Sequence, residues 1–387
     1  MNVLFIDQYS ALGGAQQCLL DLMPAIEERG WNARVAVPPG GPLVDLLRAR
    51  GMRVDEIRSG PYRSGRKSAA DVLRFAADVP AQIAAIGALL DQSPTDLVYV
   101  NGPRLLIAAA FAARRRAPIF FHAHHSIGQR GAAHLEGLAL RHSGATVVAC
   151  CDAVAQPLRK WAPRQRIQTV PNGTADLGFR ERTFEPGRDV RIGIVGRIAP
   201  EKGQAEFLRA AALLVPHTPH ARFVICGAPL FGDRGYYSEV LRLAADLPVE
   251  FLDWQEDVGA VMGSLDILVI ASKQEGMPRV LLEAFSAGVA VVAFPVGGIP
   301  EVIEDGITGF LTRDLAAGLC AVVESDPGKL RAVTRNSRRE WELRYTVARY
   351  RESIIALMEQ SAARETTAPQ PRKSAMRRAA PEDTRNA

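Results

Sequence analysis

Short apolar runs alternate with helix-period segments along this chain, and the alternation occurs twice in succession. No other sequence feature constrains the fold as tightly. Val3-Leu4-Phe5-Ile6 reads as a buried strand and Gly13-Gly14 as a turn. The segment from about Ala15 to Glu28 reads as an amphipathic helix with Leu19, Leu22, Met23 and Ile26 on one face. Gly30 stops that helix. Strand 34–37, helix 43–50, a stop at Gly51 and strand 54–57 follow. Further strands are predicted at 97–100, 118–122 and 146–149, with an alanine-rich helix after Arg104. Strands separated by helices argue for a parallel, doubly wound α/β sheet. After a polar stretch, 180–189, a second series begins, with strands predicted at 191–195, 222–226, 249–252, 267–270 and 290–293. Two Rossmann-like halves in tandem face each other across a cleft at the carboxyl ends of their strands, where such folds bind ligands.

Length agrees with two domains, since 387 residues exceed what one core ordinarily organises. The expected division is a first domain over 1–179, a second over 190–345, a C-terminal helix over 346–361 packing back on the first domain, and a disordered tail over 362–387. With 48% hydrophobic and 23% charged residues the chain reads as globular. Five cysteines without a CxxC pair read as reduced thiols of a cytoplasmic protein. Asp7 ends the opening apolar run and no basic residue precedes it, so the start does not read as a secretory signal. The longest uninterrupted apolar run is Leu105 to Ala113, between Arg104 and Arg114, too short for a membrane span. Residues 1–180 carry 21 Lys+Arg against 14 Asp+Glu, and the remainder 26 against 28, so the first half is the basic one. Arg48, Arg50, Arg53, Arg58, Arg63, Arg66 and Lys67 concentrate that charge, which suits an anionic partner or, more simply, a solvated surface. Nucleic acid is not expected, because no recognition motif and few interleaved aromatics accompany the charge.

Three segments carry chemistry. In Glu275-Gly276-Met277-Pro278-Arg279-Val280-Leu281-Leu282-Glu283, Pro278 suits the first position of a helix. Glu275 then lies just before free main-chain N–H groups that can receive hydroxyls or phosphate oxygens, and Glu283 lies in the second turn. Carboxylates there can accept from vicinal diols of a sugar or ribose; a capping acid and a solvated Glu is the alternative. In Gly196-Arg197-Ile198-Ala199-Pro200-Glu201-Lys202-Gly203, between a strand and a helix starting near Gln204, Arg197 and Lys202 can hold a diphosphate. A basic surface loop is the alternative there. Gly297-Gly298…Glu301 and Asp305-Gly306…Gly309 read first as turn architecture.

Together these motifs, with Gly13-Gly14-Ala15, Arg29-Gly30 and Val170-Pro171-Asn172-Gly173, resemble the retaining GT-B glycosyltransferases of family four, the sucrose-synthase-like and bacterial polysaccharide and lipid glycosyltransferases. The resemblance spans about residues 1–350. It implies a sugar moved from a nucleotide-sugar donor to a hydroxyl of a saccharide or lipid-linked acceptor, with retention, in bacterial surface polysaccharide or glycolipid biosynthesis. By the same resemblance Arg197 and Lys202 stabilise the departing diphosphate, without a divalent metal or other cofactor. Glu283 accepts from the ribose. Glu275 contacts the donor sugar, with the main-chain N–H groups of Gly276 and Met277 beside it. Gly14 lets the backbone approach the phosphates, and the base lies near Trp254 and Gln255. The family often has a His after the strand that ends Phe120-Phe121-His122-Ala123-His124-His125, and the hydrophobic lead-in aligns it with His124. Three His in four residues depart from the family pattern and leave a metal site as an alternative, although His122 and His124 share a strand face that His125 does not. A cytoplasmic protein with peripheral contact to an anionic inner membrane face is the corresponding location. A nucleotide-sugar epimerase of the same architecture and a catalytically silent sugar-binding scaffold are the rival functions. A dehydrogenase fits less well, since the first strand is not followed by GxGxxG.

Overall fold

Both alternating series close into parallel sheets in the computed structural model, which describes residues 1–60, 69–185, 187–229 and 234–366. The first sheet contains β1 (Asn2–Asp7), β2 (Asn32–Val37), β3 (Arg53–Glu56), β4 (Leu97–Asn101), β5 (Ile119–Ala123), β6 (Thr146–Ala149) and β7 (Ile167–Thr169) in the order β3-β2-β1-β4-β5-β6-β7. The second contains β8 (Val190–Val195), β9 (Ala221–Cys226), β10 (Val249–Leu252), β11 (Ile267–Ile270), β12 (Ala290–Ala293) and β13 (Phe310–Leu311) in the order β10-β9-β8-β11-β12-β13. Each order reverses beside the first strand of its series, between β1 and β4 and between β8 and β11. The crevice outside those strand ends is where an open α/β sheet admits a ligand. The central strands are continuous apolar runs because helices cover both faces, and Leu4, Phe5 and Ile6 of β1 and Leu268 and Val269 of β11 are all buried. The edge strands β7 and β13, three and two residues long, were not legible in the sequence.

The connection between the sheets is fastened down. Arg182, within the polar stretch expected to be a linker, is buried and donates to the carbonyls of Leu265, Met262 and Ala287. The C-terminal helix, Val347–Thr366, crosses back to the first sheet, where Tyr350, Ile354, Ile355 and Met358 join Phe5, Leu19 and Tyr99 in one core. Both crossings lie side by side: Thr174 N–H donates to the Tyr345 carbonyl and Val347 N–H to the Thr174 carbonyl, each at 2.9 Å. The helix continues five residues into the segment expected to be disordered, and residues 367–387 lie outside the described residues.

The longest helix was not anticipated. Ala69–Gln92 follows the basic segment of the first domain. Its residues Ala70–Gln92 form the one described helix long and apolar enough to cross a membrane by length and composition, with 17% of its most apolar window buried. That corrects the expectation that 105–113 is the nearest approach to such a segment. Counting unbroken runs missed this helix because Asp71, Arg74 and Asp78 punctuate its first turns. Residues 106–112 instead form a short, mostly buried helix.

One buried acid predicts a pH dependence. Glu136, on the helix Arg130–Ser143, is buried, and burial pushes its carboxyl up to about 8. The folded chain therefore keeps this proton from the ordinary 4.5 up to about 8, while the unfolded chain releases it. Stability conferred by the protonated form is lost as pH rises through that window. Glu136→Gln is expected to remove this part of the decline, leaving the urea midpoint at pH 5 nearly unchanged and raising it at pH 9.

Candidate active site between the two sheets

β8 delivers Arg197 and a short turn, Pro200–Lys202, to the crevice, and β11 delivers the loop that leads into the helix Arg279–Ala287. Lys202 Nζ lies 2.5 Å from Glu275 Oε1, and Glu275 is only 10% exposed. Arg197 is paired with Glu201. The two expected cations and the expected sugar-facing acid thus meet in one place, with each cation held by a carboxylate. A cavity of about 260 Å³ opens beside them, lined by Ser272, Lys273, Phe294, Pro295, Val296 and Arg313. Ser272 also lines the crevice containing Lys202 and Glu275.

Glycines hold the Glu275 loop where it is. A Cβ on Gly276 would fall 2.0 Å from the carbonyl oxygen of His124, so only a glycine lets this loop touch the first domain. Gly297, at φ +57°, packs its backbone on Glu275; a Cβ there would sit 1.9 Å from the Glu275 carbonyl oxygen. The Gly-Gly pair read as turn architecture therefore shapes the site directly. Met277 is buried and its carbonyl accepts from Asn172 Nδ2 at 2.8 Å, linking the loop to the first domain. The helix begins one residue later than expected. Pro278 occupies the capping position with an extended backbone (ψ 127°), so the first helical residue is Arg279.

Arg279 is the principal residue that sequence reading missed. Its Nη1 donates to Asp21 Oδ2 at 2.8 Å and to the Gly173 carbonyl at 2.9 Å, both in the first domain, while Nε lies 3.7 Å from Glu283 Oε1. Burial pushes the Glu283 carboxyl up, against the pull of Arg279. Glu283 thus stands behind an interdomain ion pair. Gly14, expected in a loop, is the first residue of the helix Gly14–Glu28, and a Cβ on it would lie 3.7 Å from Arg279 Cδ. A second clasp is Glu301, whose carboxylate accepts from the N–H groups of Asp152 (2.8 Å) and Ala153 (2.7 Å), opening a helix of the first domain.

On the first-domain side, His124 follows β5 and its Nε2 lies 2.7 Å from Asn101 Oδ1. Burial pushes its imidazole well below the ordinary range, reinforced by His122, His125 and Arg279, so it is neutral at pH 7. Tyr9, with the Arg104 guanidinium 4.7 Å from its ring centroid, feels the charge of Arg197 across the crevice. Among the described residues no group of three or more His, Cys, Asp or Glu could hold a metal ion. Trp254 and Gln255 follow β10 at the sheet edge, two strands from β8, with Trp254 exposed. The basic stretch is less free than its charge suggests. Arg48 pairs with Glu56, Arg53 with Asp55, and Arg50 donates to the Leu20 carbonyl. Arg63, Arg66 and Lys67 lie outside the described residues.

Two family models match this chain: "Glycosyl transferase 4-like domain" over residues 13–173 and "Glycosyl transferases group 1" over residues 189–325. The chain belongs to the group 1 glycosyltransferases. Among relatives of this glycosyltransferase, the Vi polysaccharide biosynthesis protein VipC/TviE of Salmonella typhi is 32% identical over 140 residues, 35% of this chain and 23% of that protein. Spore coat protein SA of Bacillus subtilis is 26% identical over 311 residues, 72% of this chain and 81% of that protein. The match thus spans less than a quarter of the first relative's length. Among solved structures, that of Anabaena HepE in complex with UDP-glucose superposes with a TM-score of 0.77 at 22% identity, covering 93% of this chain and 100% of that one. That likeness is one of fold, and the fold of this glycosyltransferase is GT-B.

Proposed function

We propose that this glycosyltransferase moves a sugar from a nucleotide-diphosphate donor to a hydroxyl of a saccharide or lipid-linked acceptor, with retention of configuration, in the building of a surface polysaccharide or glycolipid. The observation that carries the reading is the Lys202–Glu275 pair beside Arg197, at the crevice where the Gly276 loop meets His124. Donor binding exchanges partners: phosphate oxygens take Lys202 and Arg197 from their carboxylates, and Glu275 is released to accept from sugar hydroxyls. As the bond from the anomeric carbon to the diphosphate oxygen breaks, its electron pair stays on the diphosphate, where the two cations stabilise the growing charge. The acceptor oxygen forms the new bond to the same carbon on the face the diphosphate leaves, which keeps the configuration, and its proton passes to the departing diphosphate oxygen. In this reading fixed side-chain cations do what a divalent metal does elsewhere, and holding acceptor and donor together supplies much of the remaining acceleration. The name of the Salmonella relative and the fold of the Anabaena protein support the substrate class.

A screen of UDP, GDP, ADP and CDP by thermal shift identifies the nucleotide, since a bound ligand raises the melting temperature. NMR of the matching nucleotide sugar then decides the reaction. Transfer that depends on acceptor, with the anomeric configuration kept, is expected. Isomerised donor without acceptor would make it an epimerase, and binding without turnover a silent scaffold.

The same reading places the acceptor at a membrane. The helix Ala69–Gln92 turns Val72 (58% exposed), Leu73 (71% exposed), Ala76, Ala77, Ala81 and Ala84 outward. An exposed apolar helix face on a basic domain suits an anionic lipid surface. Wild-type protein is expected to co-sediment with phosphatidylglycerol vesicles, and the Val72→Asp/Leu73→Asp variant to lose at least 10-fold in binding. Equal binding by both would remove the helix from the proposal.

A further inference from the structure

The His124 imidazole rests on two buried side chains from neighbouring strands. Asn101, the last residue of β4, and Asp7, the last of β1, are 1% and 0% exposed. Asn101 Nδ2 donates to Asp7 Oδ2 at 2.5 Å and to the Ala15 carbonyl at 3.1 Å. With its NH2 group committed to two acceptors, the amide turns Oδ1 toward His124, whose Nε2 is 2.7 Å away. That ring nitrogen must therefore carry the hydrogen.

The polarity is fixed further back. Asp7 Oδ1 accepts from the main-chain N–H of Tyr9 at 2.9 Å and from Gln16 Nε2 at 2.8 Å. A peptide N–H only donates, so the atom facing it has to be an acceptor. An ionised carboxylate also offers an acceptor on its other side, and that second oxygen dictates which way the Asn101 amide points. His122 does not compete for Asn101: its Nδ1 is engaged by the Tyr99 hydroxyl at 2.5 Å.

We propose that Asp7 is a positioning residue which, through Asn101, holds neutral His124 as its Nε2–H tautomer and leaves Nδ1 as a hydrogen-bond acceptor toward the crevice. The proposal rests on reading His124 as a sugar-facing residue, in which case Nδ1 accepts from a donor-sugar hydroxyl. The tautomer itself is measurable without any substrate.

The test uses the full chain labelled with 15N-histidine, at pH 8, with the His124 ring signals identified by their loss in His124→Gln. Long-range 1H–15N spectra distinguish the protonated ring nitrogen from the bare one. Wild type is expected to show Nε2–H; a wild-type ring protonated at Nδ1 overturns the proposal. In Asp7→Asn the new side chain keeps an oxygen toward the Tyr9 N–H and turns its NH2 toward Asn101. Reversal of the Asn101 amide then satisfies the new NH2 at the cost of the bond to the Ala15 carbonyl and offers the Asn101 NH2 to Nε2, so the tautomer ratio is expected to shift several-fold toward Nδ1–H. An unchanged tautomer in a folded Asp7→Asn protein overturns the role of Asp7. Should that variant not fold, Asn101→Ala decides: a mixture of tautomers supports the lock, and a pure Nε2–H ring overturns it. Nucleotide release separates this inference from the functional reading, because a shifted tautomer ratio with undiminished turnover upholds the lock and removes His124 from the sugar site.

Discussion

In the proposed function Lys202→Ala is expected to slow acceptor-dependent nucleotide release by about 10²–10³-fold, the cost of removing one preorganised charge from a developing anion. The loss would have two sources in this site. The variant lacks the ammonium proposed to meet the diphosphate, and it leaves the Glu275 carboxylate, 10% exposed, without its 2.5 Å partner. An uncompensated carboxylate at that point repels the donor it is meant to receive, so binding suffers as well as turnover. Lys202→Arg restores only part of the rate, because a planar guanidinium cannot occupy the place of a compact ammonium against Glu275. Steady-state nucleotide release with a competent acceptor, together with the nucleotide-induced thermal shift, measures both components. Turnover near that of wild type in Lys202→Ala would remove Lys202 from the mechanism.

The largest expected effect on stability belongs to Arg279→Ala. Arg279, Asp21 and Glu283 have side chains 10%, 15% and 12% exposed, so the truncation strands two carboxylates and the Gly173 carbonyl in a poorly solvated interface. Breaking a buried pair in this way costs about 3–5 kcal/mol. Arg279→Lys recovers little of it, since one ammonium cannot reproduce the spread of Nη1 and Nε over Asp21, Gly173 and Glu283. Urea unfolding followed by tryptophan fluorescence gives the shift. An unchanged midpoint for Arg279→Ala would show that the pair does not join the domains in solution. If Glu283 accepts from the donor's ribose, as the family resemblance implies, Asp21→Asn is expected to weaken nucleotide binding from the opposite domain, because it leaves Arg279 to Glu283.

Features carried by local sequence are legible. Apolar runs of four to six residues locate the central strands to within a residue or two, and residue type and spacing single out the Glu275–Glu283 and Arg197–Lys202 segments, from which Lys202 and Glu275 meet in the fold. Features that depend on a distant partner are not. Asn101 and Asp7 are 94 residues apart, and Arg279 and Asp21 are 258 apart, and nothing in the neighbourhood of either pair marks it as special. Pro278 misled by one residue because its ring fixes only φ, here −69°, a value that helix and extended backbone share, while its ψ of 127° places it outside the helix. The helix Ala69–Gln92 escaped because its alanines give weak hydropathy contrast and its charges, Asp71, Arg74, Asp78 and Asp91, break the apolar run near both ends.

The paired crossings at Thr174 and Thr346 carry a mechanical consequence. Two segments joined by main-chain hydrogen bonds behave as the pin of a gate rather than as two independent tethers. A swing of the lobes about the line of that pin would keep both bonds, whereas sliding or twisting would break Thr174 N–H from Tyr345 and Val347 N–H from Thr174 together. In the proposed function, donor entry and nucleotide release by such a swing would leave the pin whole while opening the clasps at Arg279 and Glu301. A cross-link at Thr174 and Thr346 would leave that motion intact, whereas one joining Glu301 to the start of the helix Asp152–Trp161 would lock the gate shut.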